Sequence, residues 1–211
     1  MEITWLGHSS FLIKDSKGRT ILTDPFDETV GYNVYNGDAD LVTISHHHFD
    51  HDFTRNLSKD VPVLDKAGFF NLSDIPVSGF LSYHDKLKGA KRGENIIFVF
   101  DVDGYRVCHL GDLGYLLTEE EIKALGKIDV LMIPIGGNFT IDGKEAAILS
   151  KAINSHIVIP MHYKTHILSF PLEGLESFLI NMKNGQRAGS STLVIEKELT
   201  EYNVVKILDY K

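Results

Sequence analysis

Between Ser45 and Asp52 the chain reads SHHHFDHD, which places four of its ten histidines and two aspartates within eight residues. Imidazole and carboxylate are the ligands that zinc, manganese and iron take from proteins. In an extended chain, residues two apart point the same way, so His46 and His48 can face one point in space and Asp50 continues that side. His51 follows where the chain is expected to turn into a helix. His47 points away from its neighbours and is expected to stand outside the ligand set. The bland alternative is a polar surface loop, but histidine is uncommon and the acids interleave at ligand spacing. One turn cannot easily crowd four such side chains around a single ion. Two adjacent ions, with further ligands from elsewhere, is the better geometry.

Candidates for those further ligands each end an apolar run. His84 follows GFLSY, Asp112 follows YRVCHLG and His162 follows IVIPM. Taken singly, His84 or His162 reads as a hydrogen-bonded histidine and Asp112 as a turn cap. Taken together, all three could project from one edge of a set of strands. The single cysteine, Cys108, lies in an apolar strand pattern and reads as a packing residue, so coordination would use nitrogen and oxygen.

The elements that must position these groups are legible as short runs. EITWLG, SSFLIKD and RTILTDP read as strands, with a turn at DSKG. DADLVTIS gives a strand, Leu41 to Ile44, that runs into the histidine cluster, and DVPVLDKAG reads as a short strand after a helix. Residues 75 to 84 favour a strand. NIIFVFDVDGYRVCHLGD is a hairpin pattern. Helix starts follow at Thr118 with Glu121 and at Asp142 with Glu145, both at capping-box spacing, and Gly126 is a helix stop. DVLMIPIGG and HIVIPMHY read as buried strands. PLEGLESFLINMKNG reads as a helix with Pro near its start and Gly at its end. The expectation is one α/β domain over residues 1–211, built of two similar halves.

Composition narrows the partners. The net charge is −8, which disfavours phosphate-rich polymers, so no nucleic acid is expected. No run of 18 apolar residues suggests a membrane span, and the start of the chain lacks the pattern of a signal peptide. One cysteine suits a reducing cytoplasm. A small-molecule substrate, including an anionic or phosphorylated one held in a local basic pocket, fits this balance. A homo-oligomer is left open.

The pattern His46-x-His48-x-Asp50-His51, with YHD at 83 to 85, GD at 111 to 112 and PMHY at 160 to 163, resembles the metallo-β-lactamase superfamily. WLGHSSFLI, ILTDP and PIGGNFT resemble one branch of it, small prokaryotic metal-dependent hydrolases related to L-ascorbate-6-phosphate lactonase. The resemblance implies a four-layer αβ/βα sandwich with a dinuclear site along one edge. By it, His46, His48 and His84 would hold one divalent ion and Asp50, His51 and His162 the other, with Asp112 bridging. Zinc or manganese is favoured over iron or nickel. The implied reaction is hydrolysis of a small cytoplasmic ester, lactone or phosphodiester by a metal-bound hydroxide, with Asp50 steering the nucleophile.

Other residues enter with smaller roles. His8 in GHSS is expected to line the site and join Asp50 and Asp112 as a catalytic candidate. His109 reads as a packing or supporting residue. Asp24 and Asp52 are candidates to orient ligand histidines. KLKGAKRG, at 86 to 93, reads as a solvated loop or as a lid whose Lys86, Lys88, Lys91 or Arg92 meets a substrate phosphate. GGNFT, at 136 to 140, could line the cleft with backbone N–H groups. Two rival functions remain. A diiron oxidoreductase is disfavoured because flavin-linked relatives place Glu where His48 stands and carry a flavodoxin-like domain. A non-catalytic metal-binding module is disfavoured by the full ligand set.

Overall fold

Apolar runs alternating with turn residues build two sheets in the computed structural model, which describes residues 1–196 and 198–210. In chain order the first five strands are β1 (Glu2–Gly7), β2 (Ser10–Lys14), β3 (Thr20–Thr23), β4 (Leu41–Thr43) and β5 (Val63–Leu64). Then come β6 (Gly68–Leu72), β7 (Ile75–Tyr83), β8 (Glu94–Val102), β9 (Tyr105–His109), helix α1 (Glu119–Leu125), β10 (Val130–Pro134), α2 (Gly143–Ile153), β11 (Ile157–Met161) and α3 (Glu176–Met182). The chain finishes with β12 (Gln186–Arg187), β13 (Thr192–Val194) and β14 (Val204–Ile207). One sheet runs β13-β1-β2-β3-β4-β5 and the other β12-β14-β11-β10-β9-β8-β7-β6.

The turn chemistry closes as expected. Asp15 in DSKG accepts the N–H groups of Lys17 and Arg19. Asp103 and Gly104 both take positive φ, as a two-residue hairpin between β8 and β9 requires. Both capping boxes form, Thr118 with Glu121 and Asp142 with Glu145.

Alternation sorts each strand's residues between two faces. Ile3, Ile13, Ile21 and Leu41 of the first sheet share one continuous core with Phe98, Phe100, Val107 and Cys108 of the second. Cys108 is buried there, and burial pushes its thiol up, as a packing residue allows. Every residue of β10 and β11 is buried, because Ala146, Leu149, Ile153 and Phe178 of α2 and α3 join the same core. The α/β class and two-sheet sandwich agree with the expectation.

Two elements differ. Among the described residues no helix lies between His51 and Val63. Residues 52 to 62 form turns, with Leu57 N–H donating to Thr54 and Val61 N–H to Ser58. Leu57 and Val61 pack instead against Leu22, Val42 and Ile44, the other face of the first sheet. The third helix starts at Glu176, not at the proline. Glu173 N–H donates to Gly136 and its carbonyl accepts from Lys164 N–H, so this stretch is drawn out along neighbouring loops. That helix ends at Lys183 in left-handed conformation, before Gly185. Among the described residues no helix is long and apolar enough to cross a membrane.

Candidate metal centre

Strand direction decides where the chemistry collects. β1, β3 and β4 run the same way, since β1–β2 and β2–β3 are antiparallel and β3–β4 is parallel. β7, β9, β10 and β11 also share one direction. His8 follows the C-terminal end of β1, Asp24 that of β3 and Ser45–His46 that of β4. His84 follows β7, Asp112 follows β9 and His162 follows β11. The sheets meet at this edge: His162 N–H donates to His8 O at 3.1 Å, and Ile96 N–H to Ser45 O at 2.8 Å. Carboxyl ends of strands are where α/β folds gather their ligand sites.

Aiming side chains into one point bends the backbone. His8, Asp24 and His162 take φ of 51°, 42° and 50°, a region non-glycine residues rarely enter. Gly111, just before Asp112, has φ 56°, and an added Cβ would collide with Asn95 Oδ1 and with Ser45.

Asp112 lies at the centre. Its Oδ2 is 3.1 Å from His162 Nε2, 3.2 Å from His84 Nε2, 3.4 Å from His51 Nε2 and 3.9 Å from His46 Nε2. Around it, ligand-type atoms of His46, His48 and His84 lie within 4.8 Å of one another, as do those of His8, Asp50, His51 and His162. A third such group, Asp24 with His46 and His51, serves a different purpose, because Asp24 already accepts three hydrogen bonds.

Those bonds set tautomers. Ser45 donates its N–H to Asp24 Oδ1 at 2.8 Å and its hydroxyl to Oδ2 at 2.6 Å. His46 Nδ1 meets the same hydroxyl at 2.9 Å, and His51 Nδ1 meets Asp24 Oδ2 at 2.9 Å. Both rings thereby keep Nδ1 engaged and turn Nε2 toward Asp112, as metal-binding histidines are usually held. His46 Nε2 and His51 Nε2, with Asp112 Oδ1, His84 Nδ1 and His162 Nδ1, are buried atoms with no hydrogen-bond partner among the described residues. Buried polar atoms are rarely left so. A divalent cation is what this donor set fits.

The electrostatics agree. Burial pushes His46 well below its ordinary range, and His51 adds to that. Burial also lowers His84. Burial would raise Asp112, but the charges of His162 and His51 hold it well below the carboxylate range. Asp50 is likewise held low against its burial, by His51 and by hydrogen bonds from His51 and His8. Burial would lower His51, yet Asp112 and Asp50 raise it well above its ordinary value. The pocket therefore already holds charged carboxylates that want a cation.

His8 sits in the site, fully buried, its Nε2 3.1 Å from Asp50 Oδ2. Burial, then the charge of His162, pushes it down to about 4. His109 is a supporting residue: its Nε2 donates to Ser9 O at 2.8 Å and its Nδ1 accepts from Gly111 N–H. His47 is exposed and faces Asp65 and Asp52. Asp52 therefore meets none of the convergent histidines, since its turn leads outward; Asp24 alone of the two does so.

A cleft of about 340 Å³ opens over this centre, lined by His48, Asp50, His84, Asp112 and His162, and walled by Phe49, Phe139, Phe170 and Arg92. Of the basic loop, only Arg92 reaches it; Lys86 is ion-paired with Glu145. In GGNFT the N–H groups of Gly137, Phe139 and Thr140 are used within the turn, and what the segment presents to the cleft is the Phe139 ring. Phe49, Phe139, Phe170 and Asn95 were missed in the sequence. Asn95, fully buried, accepts Asp112 N–H at 2.9 Å and donates to Ser82 Oγ and Leu110 O. Nothing marks it in the sequence beyond a polar residue at a strand start.

Comparison with known proteins completes the picture. The β-lactamase superfamily domain matches residues 2–162. A relative in Methanoculleus marisnigri, named a UPF0173 metal-dependent hydrolase, is 31% identical over 203 residues, covering 84% of this chain and 87% of its own. A crystal structure from Thermotoga maritima, described as a candidate Zn-dependent hydrolase of the metallo-β-lactamase superfamily, shares 37% identity with a TM-score of 0.82, covering 98% of this chain and 97% of that one. The metallo hydrolase Igni18 of Ignicoccus hospitalis, at 24% identity and a TM-score of 0.60 over 81% of this chain and 86% of its own, shares the fold.

Proposed function

Since the chain belongs to the metallo-β-lactamase superfamily, whose relatives here are named metal-dependent hydrolases, we propose that it hydrolyses a small ester, lactone or phosphodiester at a pair of divalent ions. The single observation that carries this reading is the convergence of four imidazole Nε2 atoms on the carboxylate of Asp112, those of His46 and His51 without a hydrogen-bond partner among the described residues, at one end of a ligand-sized cleft. His46, His48 and His84 would hold one ion and Asp50, His51 and His162 the other, with Asp112 between them. Zinc or manganese suits this nitrogen and oxygen mixture. Such ions supply Lewis-acid activation of water near neutral pH and stabilise developing negative charge.

The chain's own residues do the rest. Asp50, ionised, accepts a hydrogen bond from the attacking water and steers it. His8, neutral, donates Nε2–H to Asp50 and fixes the carboxylate's rotation. Asp24 and Ser45 hold two imidazoles with Nε2 forward. Phe49, Phe139 and Phe170 exclude water from the substrate's apolar part, which strengthens every polar contact beside them. Lys164 secures Phe170 by donating to the carbonyls of Leu168 and Phe170. A cleft of this size suits a small molecule.

Elemental analysis of protein purified without chelator, paired with a panel of esters, lactones and p-nitrophenyl phosphodiesters with added Mn²⁺ or Zn²⁺, tests the reading. His48→Ala and Asp112→Ala should lose metal and turnover together. Full turnover by metal-free protein would overturn it.

A further inference from the structure

We infer that Arg92 is a specificity-determining residue, whose guanidinium takes a carboxylate or phosphate group of the substrate while the bond to be broken lies at the metal centre. The inference rests on the hydrolase reading above and narrows its substrates to small anionic ones.

Arg92 lines the same cleft as His48, His84, Asp112 and His162. It is half-buried, and its guanidinium lies over the Phe139 ring, 5.0 Å from the centroid. Among the described residues its guanidinium donates to no carboxylate and no carbonyl, and its one hydrogen bond is from the backbone N–H. Arg19, Arg106 and Arg187 differ, since each donates to a carboxylate or carbonyl oxygen, and Arg55, which among the described residues also has no acceptor, is exposed to solvent and lines no part of the cleft. A partly buried guanidinium has five N–H donors in a fixed fork. Leaving that fork without an acceptor makes sense where an acceptor arrives with the ligand.

The loop beneath it is built to hold that pose. Asp85, next to His84, accepts the N–H groups of Leu87, Gly89, Lys91 and Arg92 at 2.7 to 3.1 Å. Burial would raise its carboxyl, but together those four bonds hold it down at about 2. Gly114 packs against the backbone of residues 84 and 85 with no room for a Cβ. The histidine and the arginine are therefore two ends of one fixed segment. Among the described residues no acid, Glu173 included, lies within ion-pair distance of the fork. Asp50 and Asp112 face the histidines, Asp142 caps α2 and Glu145 is paired with Lys86. A planar fork pairs with a carboxylate or phosphate in two parallel hydrogen bonds, which selects an oxyanion over a neutral group of equal size.

Metal-loaded wild-type protein, Arg92→Gln and Arg92→Lys are compared on p-nitrophenyl butyrate and mono-p-nitrophenyl glutarate, which differ by a terminal carboxylate. The wild type should prefer the glutarate. Arg92→Gln should lose about ten- to a hundredfold in kcat/KM on the glutarate, mostly through KM, and several-fold less on the butyrate, with the metal content unchanged. Arg92→Lys should recover part of it, since it restores charge without the fork. Calorimetric binding of glutarate and of glycerol phosphate gives a readout independent of turnover, and the anion whose binding weakens more in Arg92→Gln identifies the headgroup. Arg92-dependent anion binding without hydrolysis of either ester would count against the hydrolase reading alone. The inference is overturned if the wild type shows neither the preference nor anion binding, if both survive in Arg92→Gln, or if that variant loses the two esters equally.

Discussion

Replacing Asp24 with asparagine changes one atom's chemistry and should invert two histidines at once. Asp24 is fully buried and accepts three hydrogen bonds, from Ser45 N–H, Ser45 Oγ–H and His51 Nδ1–H. An amide has one acceptor oxygen. With that oxygen kept on Ser45 N–H, the new NH₂ group faces Ser45 Oγ and His51 Nδ1. His51 must then leave Nδ1 bare and carry its proton on Nε2. Ser45 Oγ must accept from the amide and turn its own proton to His46 Nδ1, which drives the His46 proton to Nε2 as well. Both nitrogens that face Asp112 would be blocked. Loss of a supporting carboxylate typically weakens metal binding 10- to 100-fold. With two rings affected, we expect about a hundredfold, or about 2.7 kcal/mol. Metal-free protein should also lose roughly 3 kcal/mol of stability from charge-assisted bonds, which corresponds to about 6–12 °C in Tm. The assay is competition for Zn²⁺ or Mn²⁺ against a chromophoric chelator, with thermal unfolding of the metal-free variant alongside. Ser45→Ala is the partial case: it interrupts only the His46 branch and should cost about tenfold. If Asp24→Asn binds metal within twofold of wild type, the tautomer argument is wrong.

Adjacent histidines should behave oppositely. His47→Ala, exposed, should leave metal content unchanged and stability within about 0.5 kcal/mol by denaturant titration, whereas His48→Ala should empty part of the site. Gly111→Ala would strain a φ of 56° and set its Cβ 2.6 Å from Ser45 Cβ, so it should lose about 3 kcal/mol and displace Asp112; retained Tm and metal content would argue against the tight turn. Acid should unmask His8 in the metal-free protein. The fold keeps it neutral down to about 4, while the unfolded chain takes up its proton near 6.5, so its share of stability is present above 6.5 and lost as pH falls from 6.5 toward 4. That share is at most about 3 kcal/mol, and His8→Gln should flatten the acid limb of a denaturation series by up to that amount.

The convergent cluster was legible because His46, His84, Asp112 and His162 are polar residues of metal-binding type that each follow an apolar run, and the edge they share follows from strand direction. The support was harder to read. Asp24 and Asp52 look alike in the sequence, each an acid near a strand end or the cluster. Only the pairing of Thr23 with Thr43 brings Asp24 beside Ser45, and only the turn after His51 carries Asp52 outward to His47. Leu57 and Val61, four apart, imitate a helix face, yet together with Tyr35 and Ala39 they cover a face of the first sheet. Phe49, Phe139 and Phe170 come from three loops and read singly as core residues, so the cleft they wall has no local signature. Left-handed backbone at His8, Asp24 and His162 has none either, because no glycine marks it. Each such residue costs about 1–3 kcal/mol, and the buried nitrogens without partners add to that cost. A fold that carries both at one point is least at ease without a cation there. Metal binding and native stability should therefore be coupled through His8, Asp24 and His162, with the sequence rules failing where the site demands a conformation its residues would not choose alone.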